Sequence, residues 1–141
     1  MAEQKALQKL LEQLEEHLLT IDQMSFTLEE LLSSIDIQHL IERRLQLSIE
    51  ICIDIASHVA AEKKLPGRER AADVFLLLGK HKIIDEKLAE KLARAVGFRN
   101  ILIHEYAKIN HHLVYHYYEQ DLDDLRKFAQ QIGNKFLINN F

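Results

Sequence analysis

Gly97-Phe98-Arg99-Asn100-Ile101-Leu102-Ile103-His104-Glu105-Tyr106 is the stretch whose reading decides the fold. It lies in a segment from Asp85 to Ile109 whose apolar residues, Leu88, Leu92, Ala95, Val96, Leu102, Ile103 and Ile109, recur at helical spacing. At about 100° per residue, Arg99 falls in the middle of that apolar arc, between Leu92, Val96, Leu102 and Ile103. Burying an unpaired guanidinium costs several kcal/mol. Arg99 must therefore meet an acid inside the fold or face a second, partly wet surface such as a subunit interface. His104 lies about 140° round and about 7.5 Å further along the axis. A site using both side chains is helped by a bend in the helix, or by a second copy of it from a partner subunit.

On the N-terminal side, Leu7, Leu10, Leu11, Leu14, Leu18 and Ile21 form the apolar stripe of a first helix that ends at Ser25-Phe26-Thr27. Thr27 and Glu30 make a capping box for a short helical turn through Leu32. Asp36 is the expected cap of a long helix from Ile37 to about Lys63. That helix is apolar round more than half its circumference, and its remaining stripe is Arg43, Gln46, Glu50 and Asp54 on one face. Glu50 and Asp54 repel each other, and a nearby cation relieves the repulsion. The stripe is either an ion-pair rib on the exposed side or the place where Glu50 or Asp54 receives Arg99. The two readings separate on whether Arg99 keeps donors free for a phosphate.

Pro66-Gly67 ends the long helix, and Arg68 to Leu78 reads as a shorter one closed by Gly79 as a C′ glycine. Asp85 caps the helix that carries Arg99. Gly97 in its interior is either a tolerated kink or an opening through which a backbone or a substrate approaches closely. Asn110 caps a last helical stretch from His111 to about Leu137, with a bend near Gln120-Asp121. The end from Gly133 to Phe141 is expected to fray.

With 141 residues, 48% of them hydrophobic, one Pro and four Gly, the chain suits a single all-α domain with short connections. Cys52, the one cysteine, cannot form an intramolecular disulfide and sits among apolar residues as a small hydrophobe. The longest apolar run, Val74 to Leu78, is far short of the ~20 residues a membrane span needs. Neither export nor membrane insertion is expected, and the expected compartment is the cytoplasm. A net charge of −4 argues against nonspecific coating of nucleic acid but leaves room for a local cationic groove.

His111, His112 and His116 invite a metal reading, since His112 and His116 are one turn apart. The chain has no Glu-x-x-His, no His-Glu-x-x-His and no glycine-rich phosphate loop. No metal site and no cofactor are expected.

Arg99-Asn100, then His104-x-Tyr106, resembles the Arg-x4-His-x-Tyr signature of HepT toxins, a branch of the HEPN superfamily of small helical RNases. The resemblance covers roughly Thr27 to Ile132. It includes Arg43-Arg44-Leu45-Gln46-Leu47, Ile49-Glu50, Asp54-Ile55-Ala56, the Gly-Phe before Arg99, and Asp123-Asp124-Leu125 with Phe128. It implies an up-and-down bundle of four to five helices, one HepT-like domain over residues 1–141, and a homodimer with its cleft at the interface.

Metal-free RNA cleavage needs a base for the ribose 2′-OH, an acid for the leaving 5′-oxygen and a cation for the pentacoordinate phosphate. Histidine transfers protons near neutral pH, and arginine matches phosphate oxygens with a planar fork. A twofold interface would supply two His104 and two Arg99 to one cleft. The resemblance implies an RNase toxin of a type VII-like pair that leaves 2′,3′-cyclic phosphate and 5′-OH ends. Arg99 then binds phosphate, His104 transfers protons and Asn100 orients, with Glu50 or Asp54 in support. It further implies that Tyr106 accepts AMP from a minimal nucleotidyltransferase antitoxin, which uses ATP and Mg²⁺. The rival expectation is a catalytically silent helical partner of a nucleotidyltransferase, with Arg99 as an interface ion pair and Tyr106 as packing.

Overall fold

The computed structural model describes residues 2–137, with side chains for all of these except residues 2, 3 and 106. The described residues form helices joined by short connections, without a strand. Helix α1 (Ala2–Asp22) buries Leu7, Leu14, Leu18 and Ile21. The chain then breaks, and Thr27 opens α2 (Leu28–Ser33) with a complete capping box. The Glu30 amide donates to the Thr27 hydroxyl at 3.2 Å, and the Thr27 amide donates to the Glu30 carboxylate at 3.0 Å.

Helix α3 (Ile35–Glu62) is the central rod, about 42 Å long at 1.5 Å per residue. It packs against α1, α2 and each of the later long helices. Its cap is Ser34 rather than Asp36. Ser34 is extended, and its hydroxyl accepts the Ile37 amide at 3.2 Å, so the helix begins two residues earlier than expected. Asp36 falls inside the first turn, where its charge still suits the helix dipole. Cys52 is fully buried, and desolvation pushes its thiol pKa far up, which leaves it inert as a nucleophile.

Helix α4 (Ala71–Lys80) differs from expectation at both ends: it starts later than Arg68 and runs through Gly79. The left-handed residue beyond it is Lys82, at φ 58°. Gly79 serves packing instead. A Cβ at this position would sit 2.6 Å from the Ala89 Cβ, so glycine is what lets α4 lie against α5.

Helix α5 (Glu86–His104) starts after Asp85 as expected, but the Asp85 side chain does not cap it. Its carboxylate accepts from Gln131 Nε2 at 3.0 Å while its amide donates to Gln131 Oε1 at 3.0 Å, a two-way clamp to the last helix. The helix ends at His104, short of Ile109, and gives way to a 3₁₀ turn (Tyr106–Lys108). Asn110 caps α6 (His111–His116), accepting from the amides of His112 and Leu113. A π-helical turn (Tyr117–Asp121), where a bend was expected, joins it to α7 (Leu122–Phe136). The helix therefore continues three residues beyond Gly133, and Leu137 is buried; residues 138–141 of the expected frayed end lie outside the described residues.

The buried side chains of α1 to α7 make one hydrophobic core cluster. The all-α bundle and the short capped α2 are thus as expected, and the last helical stretch is divided into α6 and α7 by the π turn.

Candidate active site

Arg99 projects from α5 onto α3 and is mostly covered, with 20% of its side chain exposed. Its Nη1 lies 3.7 Å from Glu50 Oε1, and the same oxygen accepts from Gln46 Nε2 at 3.2 Å. The acid that meets Arg99 is therefore Glu50. The pair is attractive but too long for a good hydrogen bond, which needs about 2.7–3.2 Å. Arg99 Nε is buried and has no hydrogen-bond partner among the described residues. The guanidinium is held in direction by one acid and is far from saturated.

Asp54, one turn beyond Glu50, makes no ion pair with Arg99 within 4 Å. Its carboxyl pKa is raised, first by partial desolvation and then by the negative charge of Glu50, with Arg99 pulling the other way. Glu50 is the contact partner, and Asp54 acts on the same cation at longer range.

His104 is the last residue of α5 and is exposed, as is Asn100 one turn before it. Neither side chain hydrogen-bonds to another described residue. Their spacing puts them on one helix face, about 40° apart, with Arg99 turned toward α3. The single chain thus brings together Arg99, Glu50, Gln46 and Asp54, and presents His104 and Asn100 on the adjoining exposed face. Tyr106 lies in the 3₁₀ turn just beyond His104; its side chain lies outside the described residues.

Two further features were missed from sequence. His111 Nε2 lies 3.5 Å from Glu42 Oε2 and ties the start of α6 to α3. The Glu42 side chain is only 15% exposed, and its pKa is raised by desolvation, which outweighs the lowering by His111 and His39. His116 faces Asp121 at 3.7 Å, so His111 and His116 point to different partners. Glu42 lies one turn before Gln46 on the i, i+4 ladder that continues to Glu50 and Asp54, so the spacing alone could have extended the charged stripe to it. The second feature is a cleft of about 590 Å³ between α5 and the π turn. A larger groove of about 690 Å³ runs between α1 and α7 and holds none of the signature residues.

These features define a class: an all-helical protein presenting an acid-held arginine and an exposed histidine from one helix at the rim of its bundle. The chain belongs to the HepT-like family, whose model, described as ribonuclease HepT-like, matches residues 7–132. The mRNA nuclease HepT of Shewanella oneidensis is 35% identical over 88 residues, 62% of this chain and 66% of that protein. The tRNA nuclease HepT of Aphanizomenon flos-aquae is 33% identical over 114 residues, 81% of this chain and 77% of that protein. The solved structure of a tri-AMPylated Shewanella oneidensis HEPN toxin in complex with MNT antitoxin matches with a TM-score of 0.85 at 26% identity, over 91% of this chain and 96% of that one.

Proposed function

We propose that this chain is a metal-independent endoribonuclease, the toxin of a toxin–antitoxin pair, working in a cleft between two copies of itself. The observation that carries the reading is the state of Arg99. An arginine kept only as an interface ion pair would close on its acid, whereas this one is oriented by Glu50 at 3.7 Å with donors to spare. Such a fork fits the non-bridging oxygens of a phosphate.

In the reaction, one His104 takes the 2′-OH proton as O2′ attacks phosphorus and the P–O2′ bond forms. The P–O5′ bond breaks, and the second His104 of the dimer gives its proton to the leaving O5′. Arg99 steadies the charge on the phosphorane, and Asn100, one turn before His104, orients the substrate. The products are a 2′,3′-cyclic phosphate and a 5′-OH. No cofactor is required for these steps.

The face of α3 that carries Glu50 also presents Ile35 and Leu40, 66% and 45% exposed, within about 150° of arc. These exposed apolar residues, about 22 and 15 Å along the same helix from Glu50, support a twofold interface on this face. The relatives' pairing with a nucleotidyltransferase antitoxin supports Tyr106 as the AMP acceptor in this chain. Its backbone lies two residues past His104, and each AMP adds a negative charge and a bulky base beside the cation site.

The test is expression without the antitoxin. Wild type should arrest growth and fragment RNA, in extracts treated with EDTA as well, and Arg99→Ala and His104→Ala should do neither, a loss of at least about 10²-fold. RNA fragmentation equal in wild type and His104→Ala would overturn the assignment.

A further inference from the structure

We infer that the cleft between α5 and the π turn is a subsite for a single-stranded RNA nucleotide flanking the scissile phosphate, taking its base over Gly97 and its phosphate at Arg94. The inference rests on the ribonuclease reading and adds the path of the substrate.

Gly97 is the first ground. Glycine weakens a helix interior, so its presence there asks for a packing reason. Gly79 has one, in the 2.6 Å approach of Ala89 to the position of its missing Cβ. Gly97 has none, because a Cβ there would meet nothing within 4 Å. The space it leaves belongs to the cleft, whose lining it joins.

The opposite wall is the second ground. A π turn is rare and frequently marks a functional site. Here it delivers Tyr117 and Asp121 to the cleft. The Tyr117 ring stacks on Phe98 at 4.4 Å and 4°, so the floor is aromatic and tightly packed. Leu113, 41% exposed, stands at the rim as an unpartnered apolar contact.

The charges fit a nucleotide better than a purely anionic or purely apolar ligand. Lys91 is paired with Asp124 at 3.8 Å, and Asp121 with His116 at 3.7 Å. Arg94 lines the cleft and makes no ion pair among the described residues, which leaves a cation for phosphate. The carboxylate of Asp121 can accept the exocyclic amine of a base, as acidic side chains do with cytosine N4.

Position joins the cleft to the reaction. Gly97, Ile101 and His104 are spaced i, i+4 and i+7 and so follow one face of α5, with His104 about 10 Å along the axis from Gly97. A strand held at His104 continues over Ile101 into the cleft.

The experiment measures binding of a fluorescent single-stranded RNA of about 12 nucleotides, 2′-O-methylated throughout so that it cannot be cleaved. Gly97→Leu and Arg94→Ser should each weaken binding by about tenfold, the scale of one base or phosphate contact, while the melting temperature of Gly97→Leu stays at or above that of wild type. Gly133→Leu fills equally open space in the α1–α7 groove and should leave affinity unchanged. The inference is overturned if wild type does not bind the RNA, if Gly97→Leu and Arg94→Ser bind within about twofold of wild type, or if Gly133→Leu weakens binding as much. Cleavage of unmodified RNA separates the two readings. If it depends on His104 but proceeds with wild-type KM in Gly97→Leu, the subsite fails and the nuclease stands. If binding depends on Gly97 while His104→Ala leaves RNA cleavage unaltered, the reverse holds.

Discussion

Arg99 and Glu50 face each other across α5 and α3 at 3.7 Å, near enough to fix the guanidinium and too far to occupy it. The separation makes the pair a mounting rather than a lock. Both side chains are partly exposed, so the pair itself contributes modestly to stability, on the order of 1 kcal/mol or less.

From this follows the expectation for Glu50→Gln. Unfolding by urea should show a loss of no more than about 1 kcal/mol. RNA cleavage should fall at least about tenfold, because a small misplacement of a phosphate-binding group is costly in the transition state. Equal and proportionate losses in Glu50→Gln and in a surface control such as Glu12→Gln would show that Glu50 does nothing specific for Arg99.

Tyr106→Phe keeps the ring and removes only the acceptor oxygen. The variant should cleave RNA and remain toxic when its nucleotidyltransferase partner is co-expressed, whereas wild type is silenced. Mass spectrometry after incubation with the partner, ATP and Mg²⁺ should find AMP on wild type and none on Tyr106→Phe. AMP found on Tyr115, Tyr117 or Tyr118 with Tyr106 bare would overturn the assignment.

Glu42 carries a pH dependence whose sign is fixed by burial. Its folded pKa is raised above 4.5 because desolvation outweighs His111 and His39. A raised carboxyl pKa means that the group's favourable contribution is complete below the unfolded value and is lost as pH rises through the folded one. Glu42→Gln should therefore match wild type near about pH 4 and be the more stable protein at about pH 8, where the ionised wild-type carboxylate bears its desolvation cost. Urea midpoints at the two pH values measure this, and a Gln variant less stable at the higher pH would mean that the His111 contact dominates. Asp54 and Asp124 have the same direction of shift, each through desolvation first, so they add to the same trend.

The two helical glycines should respond oppositely to alanine. Gly79→Ala drives a methyl into Ala89 and should destabilise by about 1–3 kcal/mol, as overpacking does. Gly97→Ala meets nothing and should gain up to about 1 kcal/mol of helix propensity. Thermal melts of the two single variants are sufficient to check the contrast.

Much of this was legible in the chain because helical periodicity makes a misfit visible. Arg99 stood in an apolar arc, and an acid on the neighbouring polar stripe was the physical remedy, which the structure supplies as Glu50. What sequence left undecided was which of two acids one turn apart would meet it, since that depends on how α3 and α5 cross. Local capping was less legible. Ser34 and Asp36 are both good cap residues, and only the extended backbone at Ser34 decides between them. Gly79 suited a helix terminus by type, but its role comes from a neighbour ten positions away, Ala89, which no local pattern records. The Glu42–His111 pair and the cleft beneath Gly97 arise from tertiary juxtaposition alone. The family resemblance supplied the expected roles of His104 and Tyr106, which periodicity by itself could not assign.

The clamp between Asp85 and Gln131, with Gly79 against Ala89 just inside it, fixes one end of α5. At the other end Leu102 is the last buried residue of the helix, and His104 stands two positions beyond it. Mechanically α5 is a cantilever, built in at its root and overhanging at its tip, with the proton-transferring group of the proposed reaction on the overhang. On the proposed reading, a group added at Tyr106 sits just beyond that tip and far from the clamped root, so it would close the site without unfolding the bundle that holds it.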